Sequence, residues 1–143
     1  MKFNMFTNFS DTTRNRALTF LRIGIGLAFV FHGYPKLMGG IETWTWLGGS
    51  MENLGISFYP AFWGFMAAAT EFFGGIFLIL GLFFKPSTIL LAFTMLTALV
   101  FHISNGDAFS ATSHPLKMLI VFIFMFFAGP GSAALDNNFK SRR

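Results

Sequence analysis

Any chemistry in this chain depends on a few ionisable residues that stand within long apolar stretches. They are Arg22, His32, Lys36, Glu71, His102 and Lys117. A charged side chain at the centre of a bilayer costs about 3 kcal/mol on insertion scales, so such residues usually face a helix bundle or a wet cavity. Imidazole and ammonium groups donate hydrogen bonds, and a carboxylate carries protons. The sequence therefore predicts a site with Glu71 as proton carrier and His32 and His102 as its catalytic partners.

Three of these residues are predicted to lie at a similar height. At 1.5 Å per residue, His32 and His102 lie about 22 Å and Glu71 about 20 Å from the inner ends of their helices. Lys36 lies higher on the helix that carries His32, and Arg22 lies near the inner side. We therefore expect His32, Lys36, Glu71 and His102 to form one cluster in the outer half of the bilayer, with Arg22 inside the bundle but apart from it.

Small residues share the helix faces of the ionisable ones. Gly26 and Gly33 lie on the face of Arg22 and Lys36, and Ala68 and Gly75 lie on the face of Glu71. Small residues let helices approach closely in lipid, so these faces are expected to point into the bundle. A purely structural interpretation stays open, in which Glu71 pairs with His32 or Lys36 and only fixes the register of the helices.

The composition indicates that membrane-spanning helices position this cluster. Hydrophobic residues make up 54% of the 143 residues and charged ones only 11%, against about 25% charged in a soluble domain. The chain contains no cysteine, which excludes disulfides, thiolate nucleophiles and iron–sulfur ligation. A redox role would therefore need a bound partner molecule. The net charge of +4 comes from basic residues at the chain ends and one loop, which indicates topology and no nucleic-acid partner.

Four apolar stretches predict an all-α, polytopic four-helix bundle. The spans are residues 17–38, 61–84, 87–103 and a shorter one from about 113 to 129. Lys85 and Pro86 are predicted to form the turn between the second and third spans, because proline cannot continue a helix. Residues 1–16 are expected to be a cytoplasmic segment with its own helix capped near Ser10. Residues 17–136 are the single membrane domain, and 137–143 a basic cytoplasmic tail.

Basic residues predict the orientation of the bundle. Seven basic residues are predicted to lie on one side of the membrane: Lys2, Arg14, Arg16, Lys85, Lys140, Arg142 and Arg143. Only Lys36 and Lys117 lie near the other side, where Lys117 can extend to the interface. By the positive-inside rule both chain ends are cytoplasmic. His114 is predicted to be a loop residue without a special role.

The connection between the first two spans is predicted to contain a short amphipathic helix. Ile41, Trp44, Met51 and Leu54 recur at helical spacing within residues 39–60. Trp44 and Trp46 fit the aromatic belt at the outer interface. Two interpretations stay open: the helix rests on lipid as an anchor, or it covers a pocket as a lid.

Several motifs occur in an order that resembles the bacterial DoxX/DoxD family. They are His32-Gly-Tyr-x-Lys36, Glu71-x-x-Gly-Gly, and Gly-Pro-Gly at 129–131 followed by Asp136. The resemblance covers roughly residues 17–136 and implies a multi-pass four-helix bundle in a bacterial inner membrane. The family's name comes from a subunit of an archaeal thiosulfate:quinone oxidoreductase. Members are described as oxidoreductases or as membrane partners of redox-defence proteins.

These observations favour a membrane subunit of a redox system that binds a quinone or another small apolar ligand. His32, His102 and Lys36 would donate hydrogen bonds to the ligand, and a soluble or membrane redox partner would supply electrons. Further ligand contacts are expected from Lys36, Arg22, Lys117, Trp44 and Trp46. No covalent cofactor and no metal are expected.

Three alternatives stay open. The protein could be a non-enzymatic scaffold for a soluble redox-defence enzyme. It could be a small-molecule carrier, for which four helices are few and a homodimer would be needed. The least favoured alternative is a haem protein with His32 and His102 as axial ligands. The sequence leaves open whether the protein is an enzyme at all.

Overall fold

The computed structural model describes residues 10–140, and every regular element within them is a helix. The elements are α1 (Asp11–Met38), α2 (Gly40–Gly48), a 3-10 helix (Gly49–Leu54), α3 (Pro60–Leu80), α4 (Phe84–Ser104), α5 (Phe109–Ala128) and α6 (Leu135–Lys140). Four of them, α1, α3, α4 and α5, are long and apolar enough to cross a membrane. The predicted all-α bundle of four spans, with a short helix between the first two, is confirmed.

The four long helices run alternately up and down. Each long helix packs on the next long helix along the chain: α1 on α3, α3 on α4, and α4 on α5. Side chains link α5 back to α1, including the rings of Phe29 and Phe122, whose centroids are 5.0 Å apart. We call the end that carries α2, the 3-10 helix and loop 105–108 the loop end. The opposite end, where α1 begins and α6 lies, is the terminal end.

The crossing of α1 and α3 depends on paired glycines. A Cβ atom on Gly26 would lie 2.7 Å from the carbonyl oxygen of Gly75, and one on Gly75 would lie 2.7 Å from that of Gly26. Close backbone contact of this kind lets helices pack by van der Waals contact in lipid. The small-residue faces therefore point into the bundle, as predicted, and bring Arg22 and Glu71 inside, while Lys36 is half-buried and His32 is exposed.

The first helix is longer than predicted. It begins at Asp11, and the Ser10 hydroxyl accepts a hydrogen bond of 3.2 Å from the backbone N–H of Thr13. Ser10 is thus the cap of the first span, and the prediction of a separate helix before that span is wrong within the described residues. Positions 1–9 of the predicted N-terminal segment and 141–143 of the predicted tail lie outside the described residues.

The structure places Pro86 and Pro115 differently from the prediction. The turn between α3 and α4 lies at residues 81–83, and Lys85 and Pro86 belong to the first turn of α4. A proline is tolerated there because the first N–H groups of a helix have no intrahelical acceptor. Helix α5 begins at Phe109, before the predicted start near residue 113, so Pro115 and its neighbour His114 lie inside it.

The connection between α1 and α3 packs on the protein. Gly48 of α2 lies against the backbone of Pro60, and Gly64 of α3 lies against the backbone of Trp44, with no room for a Cβ atom at either glycine. Met51 of the 3-10 helix is buried. The segment is therefore a fixed layer over the loop end of α3 and α4, rather than a helix held by lipid alone.

Candidate functional site

An ion pair joins α1 to α3 near the loop end. Lys36 Nζ lies 2.6 Å from Oε2 and 2.9 Å from Oε1 of Glu71. The Glu71 side chain is only 5% exposed and that of Lys36 is 35% exposed. Gly33, one turn before Lys36, has no room for a Cβ atom against the backbone of Phe72. The close approach of the helices at Gly33 therefore places the ammonium group on the buried carboxylate.

A tryptophan holds the backbone beside this pair. The Trp44 indole N–H donates a hydrogen bond of 3.1 Å to the carbonyl oxygen of Lys36. The Trp44 ring also packs edge-on against Phe65 of α3, with centroids 5.0 Å apart. Trp44 thus fixes the C-terminal turn of α1 against α2 and α3.

Two cavities flank the ion pair. The first, which we call the histidine cavity, has a volume of about 180 Å³ and is lined by Phe29, His32, Lys36, Glu71, Met95, Ala98, His102, Ala111, His114 and Pro115. The second, the aromatic cavity, has a volume of about 480 Å³ and is lined mainly by apolar residues of α2, the 3-10 helix, α3 and α4. Lys36, Glu71, Ala98 and His102 line both cavities. The ion pair and His102 therefore form the wall between them.

The aromatic cavity is bounded by rings and opens beside the helices. Its aromatic lining consists of Trp46, Phe62, Trp63, Phe93 and Phe101. Phe62 is 54% and Phe93 49% exposed on the outer surfaces of α3 and α4, so the cavity faces the lipid side of the bundle. Residues of α2 and the 3-10 helix, including Trp46 and Met51, form another wall. Two interpretations of this segment were open, an anchor that rests on lipid and a lid that covers a pocket. The structure favours the lid.

The histidines occupy different surroundings within the histidine cavity. The rings of His32 and His114 are 5.8 Å apart between centroids. Nδ1 of His102 lies 2.6 Å from Oδ2 of Asp107, a residue of the loop that follows α4. Within residues 10–140, no group of three or more His, Asp or Glu side chains is arranged to hold a metal ion.

The prediction that His114 is a loop residue is wrong. The predicted start near residue 113 depended on Pro115, because proline is common in the first turn of a helix. In the structure Pro115 lies further inside α5. The spacing of His114, Met118, Phe122 and Met125 placed them on one helix face, and Phe122 and Met125 are core residues. That spacing was the signal that could have identified His114.

The structure brings together the four residues predicted to cluster. His32, Lys36, Glu71 and His102 all line the histidine cavity, and their roles in binding or catalysis stay predictions. Trp46 lines the aromatic cavity. Among the described residues, Trp44 lies beside the pair but lines neither cavity, and Lys117 is exposed on α5 outside both.

Arg22 lies apart, as predicted, and also lines neither cavity. It is 2% exposed, and its Nη2 donates a hydrogen bond of 3.3 Å to the carbonyl oxygen of Ala133. Its guanidinium group lies over Gly81. The carboxylate of Asp136 accepts hydrogen bonds from the backbone N–H groups of Phe83 and Phe84, at 3.0 and 2.9 Å. Arg22 and Asp136 thus connect the C-terminal segment to the terminal end of the bundle.

Comparison with known proteins identifies the family. A family model described as DoxX matches residues 17–103. The chain belongs to the DoxX family. The match contains His32, Lys36, Glu71 and His102 and ends within α4, so that His114 lies beyond it. The predicted resemblance is confirmed, and this DoxX-family chain is a multi-pass membrane protein.

Two bacterial relatives match most of the chain. An uncharacterized protein from Haemophilus influenzae is 32% identical over 128 residues, which cover 85% of this chain and 90% of the relative. Inner membrane protein YphA from Escherichia coli is 29% identical over 127 residues, covering 83% of this chain and 87% of the relative. No solved structure matches the chain.

Proposed function

We propose that this DoxX-family protein is an inner-membrane subunit of a redox system that binds a quinone-class ligand in the aromatic cavity. One observation carries the proposal: the Lys36–Glu71 ion pair and His102 form the polar wall of a cavity that is otherwise mainly apolar and faces lipid. A quinone has matching features, since it combines a flat apolar ring, two carbonyl oxygens and an apolar tail.

The dimensions and lining of the aromatic cavity support this ligand class. Its volume of about 480 Å³ falls within the roughly 300–1,000 Å³ that is typical of small-molecule sites. Such sites are mostly apolar, with a few polar groups that orient the ligand. Trp46, Trp63 and Phe62 offer ring faces and edges for aromatic stacking. The opening between α3 and α4 would let the tail extend into lipid.

The polar wall supports the chemistry of a quinone. The Lys36 ammonium group and a ring nitrogen of His102 can donate hydrogen bonds to a carbonyl oxygen, and Glu71 can carry a proton. Reduction to the quinol adds two electrons and two protons. The chain has no cysteine, so the electrons would come from a partner redox protein. Ionisable residues retained at membrane depth usually mark function, because they disfavour insertion.

The proposed orientation places both chain ends in the cytoplasm. Arg14, Arg16 and Lys85 lie at the terminal end of the bundle, and basic residues concentrate on the cytoplasmic side of inner-membrane proteins. A relative named as an inner membrane protein supports the same location. The polar wall then lies in the outer leaflet.

Ligand binding can be tested with the full chain in lipid nanodiscs. Decylubiquinone would be titrated while tryptophan fluorescence is recorded, since Trp46 and Trp63 line the cavity. We expect saturable quenching. Glu71→Gln and Lys36→Met should each weaken binding about tenfold or more, since a hydrogen bond to a charged group contributes about 1.5–3 kcal/mol.

A matched pair of variants separates cavity binding from partition into lipid. Ala67→Phe places a ring in the aromatic cavity and should abolish the saturable phase. Gly24→Leu adds a side chain on the outer surface of α1, where a Cβ atom meets nothing within 4 Å, and should keep it. Linear quenching that is the same in wild type and Ala67→Phe would contradict the proposal.

A further inference from the structure

The histidine cavity has no role in ligand binding as proposed above, yet it touches the same ion pair from the opposite side. Lys36, Glu71 and His102 face both cavities. His32 and His114 face the histidine cavity alone. Three imidazoles, a carboxylate and an ammonium group thus surround one small space beside the proposed ligand.

Water is the natural content of this space. Its volume of about 180 Å³ exceeds several times the roughly 30 Å³ that one water molecule occupies in the liquid, and a buried water needs two to four polar partners. The imidazole, carboxylate and ammonium groups supply those partners. An apolar cavity of similar size would stay dry.

Asp107 places an exposed carboxylate beside His102, and His32 and His114 of the histidine cavity are exposed as well. The Asp107 carboxylate is 37% exposed at the loop end, and its Oδ2 lies 2.6 Å from Nδ1 of His102. A carboxylate at one ring nitrogen fixes the orientation and tautomer of an imidazole and leaves the other nitrogen for proton exchange. The groups that face His102 across the cavity are Glu71 from α3, Lys36 and His32 from α1, and His114 from α5.

We propose that the histidine cavity is a hydrated proton route that runs from Asp107 through His102 to Glu71 and supplies the ligand in the aromatic cavity. This inference depends on the proposed function. Each quinone takes two electrons from the partner protein and two protons from this route, and the protons form the two O–H bonds of the quinol. Asp107 is a positioning residue, since it acts on the ligand through His102.

Hydration can be tested with single cysteines, because the native chain contains none. Three consecutive residues of α4 lie at nearly the same depth in the membrane but in three different surroundings. Thr94 lines only the aromatic cavity, Met95 lines only the histidine cavity, and Leu96 is 41% exposed on the outer surface. Each would be changed to Cys in the full chain and treated in nanodiscs with a charged methanethiosulfonate reagent.

The reaction rates decide whether water reaches the histidine cavity. The thiolate reacts and needs water to form, so Met95→Cys should react at least about tenfold faster than Leu96→Cys. Ala111→Cys, which lines the same cavity, should also react and serves as a second variant if Met95→Cys folds poorly. Decylubiquinone should protect Thr94→Cys more than Met95→Cys. Equal rates for both cavity variants and Leu96→Cys would overturn the inference.

Proton delivery can be tested by film voltammetry of the full chain saturated with decylubiquinone, where an electrode replaces the partner protein. Saturation removes differences in affinity from the measured rate. Asp107→Asn should slow proton-coupled reduction at least about tenfold, and Asp107→Glu should restore part of it. Glu52→Gln removes another exposed acid from the loop end, outside both cavities, and should not change the rate.

The two proposals fail in different ways. If decylubiquinone does not bind to the wild type, the ligand proposal fails, while the cysteine rates still report whether the histidine cavity is hydrated. If it binds but Asp107→Asn is reduced as fast as Glu52→Gln, the ligand proposal stands and the proton route through Asp107 is wrong.

Discussion

The bundle buries charged groups at both ends, but in different surroundings. At the terminal end Arg22 is 2% exposed and lies against Gly81 and Ala134, with a backbone carbonyl as hydrogen-bond acceptor. Near the loop end Glu71 is 5% exposed and pairs with Lys36, and the pair faces two cavities. Both groups disfavour insertion in lipid, and both cavities described above lie beside the Lys36–Glu71 pair.

The difference shows that a buried charge in a membrane helix is not sufficient to identify a site. Arg22 holds the C-terminal segment, while Asp136 of that segment caps α4 by accepting hydrogen bonds from Phe83 and Phe84. These contacts close the terminal end. The open space at the loop end makes the Lys36–Glu71 pair the candidate for chemistry.

The largest effect on stability is expected at Gly81. Gly81 has a φ of +64°, and a Cβ atom there would meet the Arg22 guanidinium and lie 2.6 Å from Cβ of Ala134. Gly81→Ala should lower the free energy of unfolding by about 3 kcal/mol, from left-handed strain of about 1–2 kcal/mol and overpacking of about 1–3 kcal/mol. Reversible unfolding in mixed detergent micelles measures this.

A matched glycine provides the control for that substitution. Gly106 has a φ of +68° but nothing within 4 Å of its Cβ position. Gly106→Ala should therefore show only the strain of about 1–2 kcal/mol. If both variants lose the same stability, the close packing of Arg22 on Gly81 contributes nothing to stability.

A smaller loss of stability is expected when the Lys36–Glu71 ion pair is changed. This test distinguishes a structural role of the pair from a role in binding. Glu71→Leu alone leaves Lys36 without its partner, and Lys36→Met alone leaves the buried carboxylate unpaired. Because Lys36 is partly exposed, each single variant should lose about 1–2 kcal/mol. The double variant should recover most of that stability, since an apolar pair often replaces a buried ion pair without loss.

Binding should not recover with stability. The double variant Lys36→Met with Glu71→Leu lacks the ion pair and keeps only His102 of the polar wall of the aromatic cavity, so it should fold and show no saturable quenching by decylubiquinone. A stable double variant that binds the quinone like the wild type would mean that the pair only holds α1 against α3.

The smallest effect is expected for Asp136→Ala at the terminal end. The substitution removes two hydrogen bonds at the N-terminus of α4, and loss of a helix cap lowers stability by about 1 kcal/mol. Quinone binding should stay at the wild-type level. Asp11→Asn is the control, because Asp11 forms an exposed pair with Arg14 that contributes little. Loss of quinone binding in Asp136→Ala alone would show that the two ends are coupled.

Much of the fold could be predicted from the sequence. The lengths of the apolar stretches identified the four spans. Glycine and alanine at helical spacing identified the helix faces that pack together, as at Gly26 and Gly75. The heights of His32, Glu71 and His102 followed from counting residues along helices of fixed rise. The predicted starts of α4 and α5 were wrong, because a proline fits both a turn and the first turn of a helix.

The sequence by itself determined which polar residues the membrane domain contains and roughly how high each lies. Only the tertiary structure decided that Lys36 is the partner of Glu71, that His114 joins the other histidines, and that Arg22 lines neither of the two cavities formed by the described residues. The physical reason is that helical periodicity fixes the face of each residue on its own helix. The distances between helices, and the space left between their side chains, depend on how all of them pack together.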